Sequence, residues 1–152
     1  MVKVITTFFR ALLLIAAAGI VLVAAAIVLL ETSGAHDIGV CDARVHRIMD
    51  LKCPSSGESG RNRWENIVLL TERDEVKCVI GTREDYEWAR ERVREHGLAE
   101  RVRAVLFSPV FRSVPRLGHV KGHEGIDPQR IVEWILEDRL PVRFQLQMHK
   151  FI

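Results

Sequence analysis

Four short apolar runs, each followed directly by small or polar residues, constrain the fold of this chain more than any other feature. The runs cover residues 28–30, 47–51, 76–80 and 105–107. Helical patterns lie between the later runs, beginning with a short helix predicted over residues 62–70, and this alternation predicts βα units and a parallel sheet. Because ligands of α/β proteins bind at the carboxyl ends of parallel strands, we expect the four run ends to form one shared rim.

The most informative of these run ends is the segment Lys52-Cys-Pro-Ser-Ser-Gly-Glu58, which follows residues 47–51. Polar residues that directly follow a strand carry more functional weight than polar residues elsewhere, because ligands of α/β proteins bind there. A lysine in a loop is, however, more often a solvated surface residue than a ligand contact. The segment is therefore a candidate site that needs support from its surroundings.

Helix signals are clearest in two places. Thr82 can cap a helix over residues 83–96, and Gly97 supplies its stop. Asp127 and Pro128 have the residue types that begin a helix. The apolar face predicted for this second helix consists of Ile131, Ile135 and Leu136, with Trp134 beside them.

The composition indicates at most one ordinary domain with a mixed surface. The chain has 152 residues, 48% of them apolar, and a formal net charge of +2. Acidic and basic residues are interspersed, so no basic stripe supports direct nucleic-acid binding. The three cysteines, Cys41, Cys53 and Cys78, are widely spaced and odd in number, which favours a reducing compartment. Cys53 and Cys78 are expected to be buried thiols.

Residues 1–30 form an apolar amino-terminal segment. Residues 11–30 contain no charged side chain, and about twenty apolar residues suffice to cross a bilayer. Hydropathy alone therefore favours a transmembrane helix, and Lys3 and Arg10 would place its amino end in the cytoplasm.

Two alternatives for the same segment remain open. One is a signal peptide with small residues at 33–35 as the cleavage site, although the apolar run is long for such a peptide. In the other, Gly19 divides the run into a helix and a buried strand that ends at Leu30, because buried parallel strands are also continuously apolar.

Residues 112–125 are rich in Gly, Pro, Arg and His and have no apolar period, so we expect an exposed insertion. His119 and His123 have a spacing that a tetrahedral zinc site can use. The chain has no closely spaced cysteine pair to complete such a site, which favours two solvated histidines.

Seven segments, taken in order, resemble the carboxyl-terminal half of the 7-carboxy-7-deazaguanine synthases. They are Glu31-Thr-Ser-Gly34, Asp50-Leu-Lys-Cys-Pro-Ser-Ser-Gly-Glu58, Asn62-Arg-Trp-Glu-Asn66, Asp74-Glu-Val-Lys77, Asp85-Tyr-Glu-Trp88, Phe107-Ser-Pro109 and Leu146-Gln-Met-His-Lys150. No single segment is specific, but the series is.

The resemblance implies a radical S-adenosylmethionine enzyme with a partial (βα)6 barrel, a 4Fe-4S cluster, S-adenosylmethionine and Mg²⁺. Residues 31–152 would form the carboxyl-terminal half of that barrel, preceded by an apolar amino-terminal helix. The implied reaction is the radical ring contraction of 6-carboxy-5,6,7,8-tetrahydropterin in queuosine and 7-deazapurine biosynthesis. A homodimer and a cytoplasmic location are also implied, and attachment to a membrane through residues 11–30 is the alternative.

The resemblance also assigns roles to individual residues. S-adenosylmethionine would be bound by residues that follow the first two runs: Thr32, Ser33, Lys52, Pro54 and Ser55. Lys77 would lie on the rim, and His149 would approach the pterin.

The amino-terminal parts of the family pattern are not found in this sequence. Family members place three cysteines close together for the cluster, followed by a Gly-Gly-Glu-Pro segment, whereas Cys41, Cys53 and Cys78 lie far apart. We therefore predict no metal ligands and no activity of this chain alone. Its amino half would be lost, supplied by another chain, or misread at the gene start, and the alternative is a non-catalytic, membrane-tethered remnant.

Overall fold

The computed structural model describes residues 29–110 and 125–147. These residues form one sheet of five parallel strands in the order β1-β2-β3-β4-β5. The strands are β1 (Leu29–Ser33), β2 (His46–Leu51), β3 (Glu75–Ile80), β4 (Ala104–Pro109) and β5 (Arg143–Phe144). The predicted α/β class with a parallel sheet is confirmed.

The strand order follows the chain order, so every crossover moves across the sheet in the same direction. Since crossovers between parallel strands are almost always right-handed, this order puts the connecting segments on one face. The first and last of the described strands, β1 and β5, do not pair with each other. Over the described residues the sheet is therefore open, and closure into a barrel is not seen.

The face under the connecting segments is the hydrophobic core. Along β3, the buried Val76, Cys78 and Ile80 alternate with residues that face the other way. Phe107 of β4 packs edge-on against Tyr86, with the ring centroids 5.8 Å apart. The period of two in β3 explains why its apolar run predicted a strand.

Three α-helices accompany the sheet: α1 (Arg83–Glu95), α2 (Leu98–Arg101) and α3 (Pro128–Glu137). Thr82 caps α1 as predicted, and Asp85 completes a capping box with it. Gly97 follows α1 with φ +55°, a left-handed conformation that favours glycine. Asp127 caps α3 by accepting a hydrogen bond from the amide of Gln129 at 3.0 Å.

The predicted apolar face of α3 is wrong at Leu136, whose surface is 70% exposed. Ile131 is fully buried, and Ile135, one turn later, packs against the core. A residue five positions after Ile131 lies about 140° around the helix from it, because each residue turns the chain by about 100°. Leu136 therefore faces away from the sheet.

The short helix predicted over residues 62–70 is present as 3₁₀ structure. It covers Trp64–Leu69, and a separate 3₁₀ turn, Ser59–Arg61, precedes the predicted range. Two further 3₁₀ turns, Ile38–Val40 and Pro54–Ser56, follow β1 and β2. Much of the connecting backbone is therefore held by specific side-chain contacts rather than by long helices.

The first and fourth strands extend further than their apolar runs. Glu31, Thr32 and Ser33 belong to β1, and Ser108 and Pro109 belong to β4, although all five were expected to follow the strands. The reason is backbone pairing, because Ser33 is still in register with Asp50 of β2. Side-chain polarity does not end a strand whose main chain continues to find partners.

Of the apolar segment at residues 1–30, the structure describes only Leu29 and Leu30. Leu29 and Leu30 lie in a strand, as in the interpretation with a helix followed by a strand, but both are exposed rather than buried and the strand continues to Ser33. Residues 1–28 lie outside the described part, as do residues 111–124, with His119 and His123, and residues 148–152. Among the described helices, none has the length and apolar character needed to cross a membrane.

A buried ion pair holds the amino ends of the strands. The Arg47 guanidinium lies 2.6 Å from an Asp74 carboxylate oxygen, with their side chains 11% and 1% exposed. Burial would raise the pKa of Asp74, but hydrogen bonds from Arg47 and Thr71 outweigh it and hold that pKa below its ordinary value. The pair lies at the opposite edge of the sheet from the rim and therefore serves stability.

Candidate functional site

The ends of β2, β3 and β4 meet at a cavity of about 180 Å³. Its lining comes from the end of β2, the turn after it, β3 and the residue after β4: Asp50, Leu51, Lys52, Cys53, Ser55, Ser56, Val79 and Val110. Two larger hollows, of about 280 and 510 Å³, lie near the end of α1 and the start of α2. Those hollows are at the amino-end edge of the sheet, so the cavity at the carboxyl edge is the candidate site.

Lys52 and Asp50 form an ion pair in this cavity. The Lys52 Nζ atom lies 2.7 Å from Asp50 Oδ2, and the two side chains are 34% and 14% exposed. The second oxygen, Asp50 Oδ1, is buried and has no hydrogen-bond partner among residues 29–110 and 125–147. A buried carboxylate oxygen without a donor is costly, so this atom has an unused capacity to accept a hydrogen bond.

Lys77 does not offer a free cation at the rim. It lies inside β3, in register with Asp50, and its ammonium group contacts Glu31 Oε1 across β2. The Lys77 side chain is only 12% exposed. The polar face of the sheet therefore carries two cross-strand charges that already compensate each other.

Ser55 lines the cavity, but its hydroxyl is held by Asp85. Ser55 Oγ donates to Asp85 Oδ2 at 2.5 Å, and Ser55 N donates to Oδ1 at 2.9 Å. The amides of Gly81 and Thr82 donate to the same Oδ2 at 2.8 and 3.1 Å. Asp85 thus joins the turn after β2 to the turn after β3, and Ser55 Oγ can only accept from a ligand.

The predicted residues Thr32 and Ser33 point to different faces of the sheet. Register partners in a parallel ladder share a face, and Ser33 pairs with Asp50 whereas Thr32 pairs with the buried Met49. Ser33 is therefore on the same face as Asp50, and the Thr32 side chain is on the core face. Pro54 begins the 3₁₀ turn and is not among the cavity-lining residues. His149 lies outside the described residues.

Two buried asparagines shape the site. They begin and end one of the segments that carry the family resemblance, but neither was predicted as a site residue. Asn62 Oδ1 accepts from the Lys52 amide at 3.0 Å, and Asn62 Nδ2 donates to the Lys52 carbonyl at 2.9 Å. Asn66 binds the turn after β1, accepting from Ile38 N and donating to the carbonyls of Gly34 and His36. The sequence predicted only a short helix here, because the main-chain groups that these buried amides satisfy lie ten or more residues away.

Gly34 permits the close approach of the first two strands. A Cβ atom at this position would lie 2.9 Å from the Asp50 carbonyl oxygen and 3.4 Å from Asn62 Oδ1. The Gly34 amide donates to that same carbonyl at 2.9 Å. A glycine here therefore brings β1, Asp50 and Asn62 together beside the cavity.

The cysteines of the described chain are thiols that pack in or near the core. Cys53 and Cys78 are buried, as predicted, and Cys41 is half-buried. A hydrogen bond with Cys78, together with burial, raises the pKa of the Cys53 thiol, so it stays protonated at neutral pH. Over residues 29–110 and 125–147, no three His, Cys, Asp or Glu side chains gather to hold a metal ion.

Comparisons with known proteins give one consistent group of relatives. The 7-carboxy-7-deazaguanine synthase of Koribacter versatilis is 50% identical over 125 residues, which cover 82% of this chain and 55% of that protein. The synthase of Chlorobaculum tepidum is 40% identical over 128 residues, 82% of this chain and 52% of that protein. That of Methanospirillum hungatei is 35% identical, with 82% and 46% covered.

The chain spans about half the length of the curated relatives it matches. No protein-family model matches the sequence, and no solved structure matches it. Over 82% of its length, this chain is therefore similar to a part of proteins named 7-carboxy-7-deazaguanine synthase, with identities of 50% and 40%.

Proposed function

We propose that this chain provides the S-adenosylmethionine-binding rim of a 7-carboxy-7-deazaguanine synthase. The substrate would be 6-carboxy-5,6,7,8-tetrahydropterin, and the product would enter queuosine and 7-deazapurine biosynthesis. The observation that carries the proposal is the Lys52–Asp50 ion pair, both of whose residues line a cavity on the carboxyl edge of the sheet. The identity to named synthases over 82% of the chain supports the reaction class.

The size and chemistry of the cavity favour the polar end of the cofactor. Pockets for drug-sized ligands usually measure about 300–1,000 Å³, and this one measures about 180 Å³. The Lys52 ammonium would bind a carboxylate, and Asp50 Oδ1 would accept from an ammonium or ribose hydroxyl. When bound, S-adenosylmethionine would supply the radical chemistry of the family, while these residues orient it.

The other residues predicted to bind the cofactor or the pterin are still proposed as contacts, but in different ways. Ser33 lies on the same face as Asp50 and can contribute its side chain, whereas Thr32 can contribute only through its main chain. Ser55 and Pro54 would shape the turn over the cofactor, and His149 is proposed as a pterin contact from the family resemblance. The sequential parallel sheet supports the proposal that residues 31–152 are half of a (βα)6 barrel.

The cysteines of the described residues are not arranged as ligands of a 4Fe-4S cluster. Cys53 and Cys78 are buried, the pKa of the Cys53 thiol is raised, and no cluster of three potential ligands exists in the described part of the chain. We therefore propose that the chain does not catalyse the reaction alone and that an amino-terminal half supplies these groups. Anaerobic reconstitution with iron and sulfide should leave it colourless, and a stable 4Fe-4S absorbance would contradict this.

Binding of S-adenosylmethionine can be measured by equilibrium dialysis without any turnover. The wild-type chain is expected to bind, and Lys52→Ala to weaken binding about tenfold, the effect of one charge-assisted contact. Arg44→Ala is the matched control, because Arg44 is an exposed cation whose side chain is 83% exposed. No binding by the wild type, or equal binding by Lys52→Ala, would contradict the proposal.

A non-catalytic, membrane-tethered remnant is the second candidate, and the apolar run at residues 11–30 favours it. If the chain is part of a synthase, we expect it in the cytoplasm, because its cofactor and pterin substrate are intracellular. The complete enzyme is proposed to be a homodimer, as the family resemblance implies. Cell fractionation separates the two. Retention in carbonate-washed membranes would favour the remnant, and recovery in the supernatant would favour the enzyme half.

A further inference from the structure

The main chain of Lys52 lies beyond the last rung of the sheet. The β2–β3 ladder ends at the pair Leu51–Cys78, and on the other side the Gly34 amide donates to the Asp50 carbonyl. Lys52 is therefore the first residue after β2, and its main chain has no ladder partner. A half-buried N–H and C=O at this point need another source of hydrogen bonds.

Asn62 supplies both bonds. Its carboxamide accepts from Lys52 N at 3.0 Å and donates to Lys52 O at 2.9 Å, so it pairs with the peptide groups as a neighbouring strand would. A neutral carboxamide is the side-chain group that offers one acceptor and one donor in this spacing. Asn62 is only 6% exposed, so water competes little for either bond.

The two ends of Lys52 are thus held separately. Asn62 holds the main chain, and Asp50 Oδ2 holds the ammonium group at 2.7 Å. Because Lys has a long side chain with several free rotations, fixing its Cα position narrows the region that the ammonium can reach.

We propose that Asn62 is a positioning residue that acts as an extra rung at the end of β2 and aims the Lys52 ammonium at the ligand cavity. We call the two hydrogen bonds between the Asn62 carboxamide and the Lys52 main chain the clamp, and its existence depends only on these bonds. Its consequence for a ligand rests on the proposed function, in which Lys52 binds the carboxylate or ribose of S-adenosylmethionine.

Asn66 provides a matched control for a merely structural role. It is also a buried asparagine in the same connecting segment, and it also binds main-chain groups, but those of Ile38, Gly34 and His36. Replacing either asparagine with alanine removes the same atoms and leaves buried main-chain groups without partners. Loss of stability alone would therefore not distinguish the two positions.

Amide hydrogen exchange, followed by NMR on the full chain, tests the clamp directly. In the wild type the Lys52 amide is expected to exchange slowly although it lies outside the ladder. Asn62→Ala should speed exchange at Lys52 at least about tenfold and leave Ile38 protected, and Asn66→Ala should do the reverse. Free exchange at Lys52 in the wild type, or the same Lys52 rate in both variants, would overturn the proposal.

Equilibrium dialysis with S-adenosylmethionine then tests the consequence. Asn62→Ala should weaken binding about tenfold relative to Asn66→Ala, because the ammonium is present but no longer aimed. If the Lys52 amide exchanges faster in Asn62→Ala but both variants bind S-adenosylmethionine with equal affinity, the positioning role is overturned. If the wild type does not bind, the proposed function fails, and the exchange rates still decide whether the clamp exists.

Discussion

Asp85 and Ser55, thirty residues apart in the chain, are joined by two hydrogen bonds of 2.9 and 2.5 Å from the Ser55 amide and hydroxyl. Asp85 is fully buried in the first turn of α1, and it also receives the amides of Gly81 and Thr82. One carboxylate therefore satisfies donors from the turns after β2 and β3. The turn after β2 forms part of the cavity wall, so the cavity's shape depends on a residue that does not itself line it.

Replacing Asp85 with asparagine should destabilise the chain strongly. The carboxamide keeps one oxygen but presents an NH₂ group to amides that can only donate, and each lost bond to a charged group is worth about 1.5–3 kcal/mol. We expect the free energy of unfolding in urea to fall by about 3 kcal/mol. Glu84→Gln is the control, because Glu84 is an exposed acid in the same helical turn and should change stability by less than about 0.5 kcal/mol. Equal losses would mean that charge near the helix end, not the contacts of Asp85, matters.

The Arg47–Asp74 pair predicts a loss of stability in acid. The pKa of Asp74 is lower in the folded chain than its ordinary value, so the folded state binds this proton more weakly than the unfolded state. The stabilisation is present above the ordinary aspartate pKa of about 3.9 and is lost as pH falls through the lower folded pKa. Urea midpoints measured from neutral pH downwards should therefore fall more steeply in the wild type than in Asp74→Asn.

The same variant should be less stable at neutral pH. Removing one partner of a buried ion pair leaves the other charge uncompensated, at a cost of about 3 kcal/mol. Glu72→Gln is a suitable control, since Glu72 is an exposed acid two residues away. An Asp74→Asn chain with unchanged stability at neutral pH would contradict the importance of the pair.

The ionisation of Tyr86 is a second pH-dependent property that can be measured, and no other tyrosine contributes to its absorbance. Tyr86 is the only tyrosine in the sequence, and its hydroxyl lies 2.7 Å from the Trp134 carbonyl and 2.8 Å from Asp138 Oδ2. Burial, followed by the hydrogen bond to Asp138, raises the pKa of Tyr86 above its ordinary value. Ultraviolet titration of the folded chain should show tyrosinate only above the pH at which the denatured chain shows it. Coincident titrations would contradict the packing of α3 against α1.

The sequence predicted the strands better than it predicted their ends. Val76, Cys78 and Ile80 alternate with half-buried residues, and this period is a local property that can be found without knowing the neighbours. The end of β1 is not local, because Ser33 stays in the strand through its pairing with β2. Thr82 and Asp127 were likewise predictable as helix caps, since each acts on residues two or three positions away.

The candidate site was predictable in its location and not in its contacts. Lys52 follows an apolar run, which is visible in the sequence, and the structure does place it at a cavity on the carboxyl edge. The contacts of the site are made over long stretches of sequence. Main-chain groups ten or more residues away bind to Asn62, Asn66 and Asp85, and the order of polar and apolar residues does not show which distant groups will meet. Buried polar residues of this kind become visible only when the main chain that they satisfy is known.

A side chain at Gly34 is expected to destabilise the chain, because the backbone of Gly34 lies too close to the backbone of β2 to leave room for a Cβ atom. A Cβ atom there would lie 2.9 Å from the Asp50 carbonyl oxygen, a backbone atom that cannot move without displacing the strand. Gly34→Ala should therefore lower the free energy of unfolding by about 1–3 kcal/mol, the usual cost of overpacking, and weaken cofactor binding by shifting Asp50. Gly60→Ala is the control, since no heavy atom lies within 4 Å of a Cβ built there. Urea denaturation and dialysis of both variants would decide the matter, and a Gly34→Ala chain as stable as Gly60→Ala would show that β1 can move away from β2 at little cost.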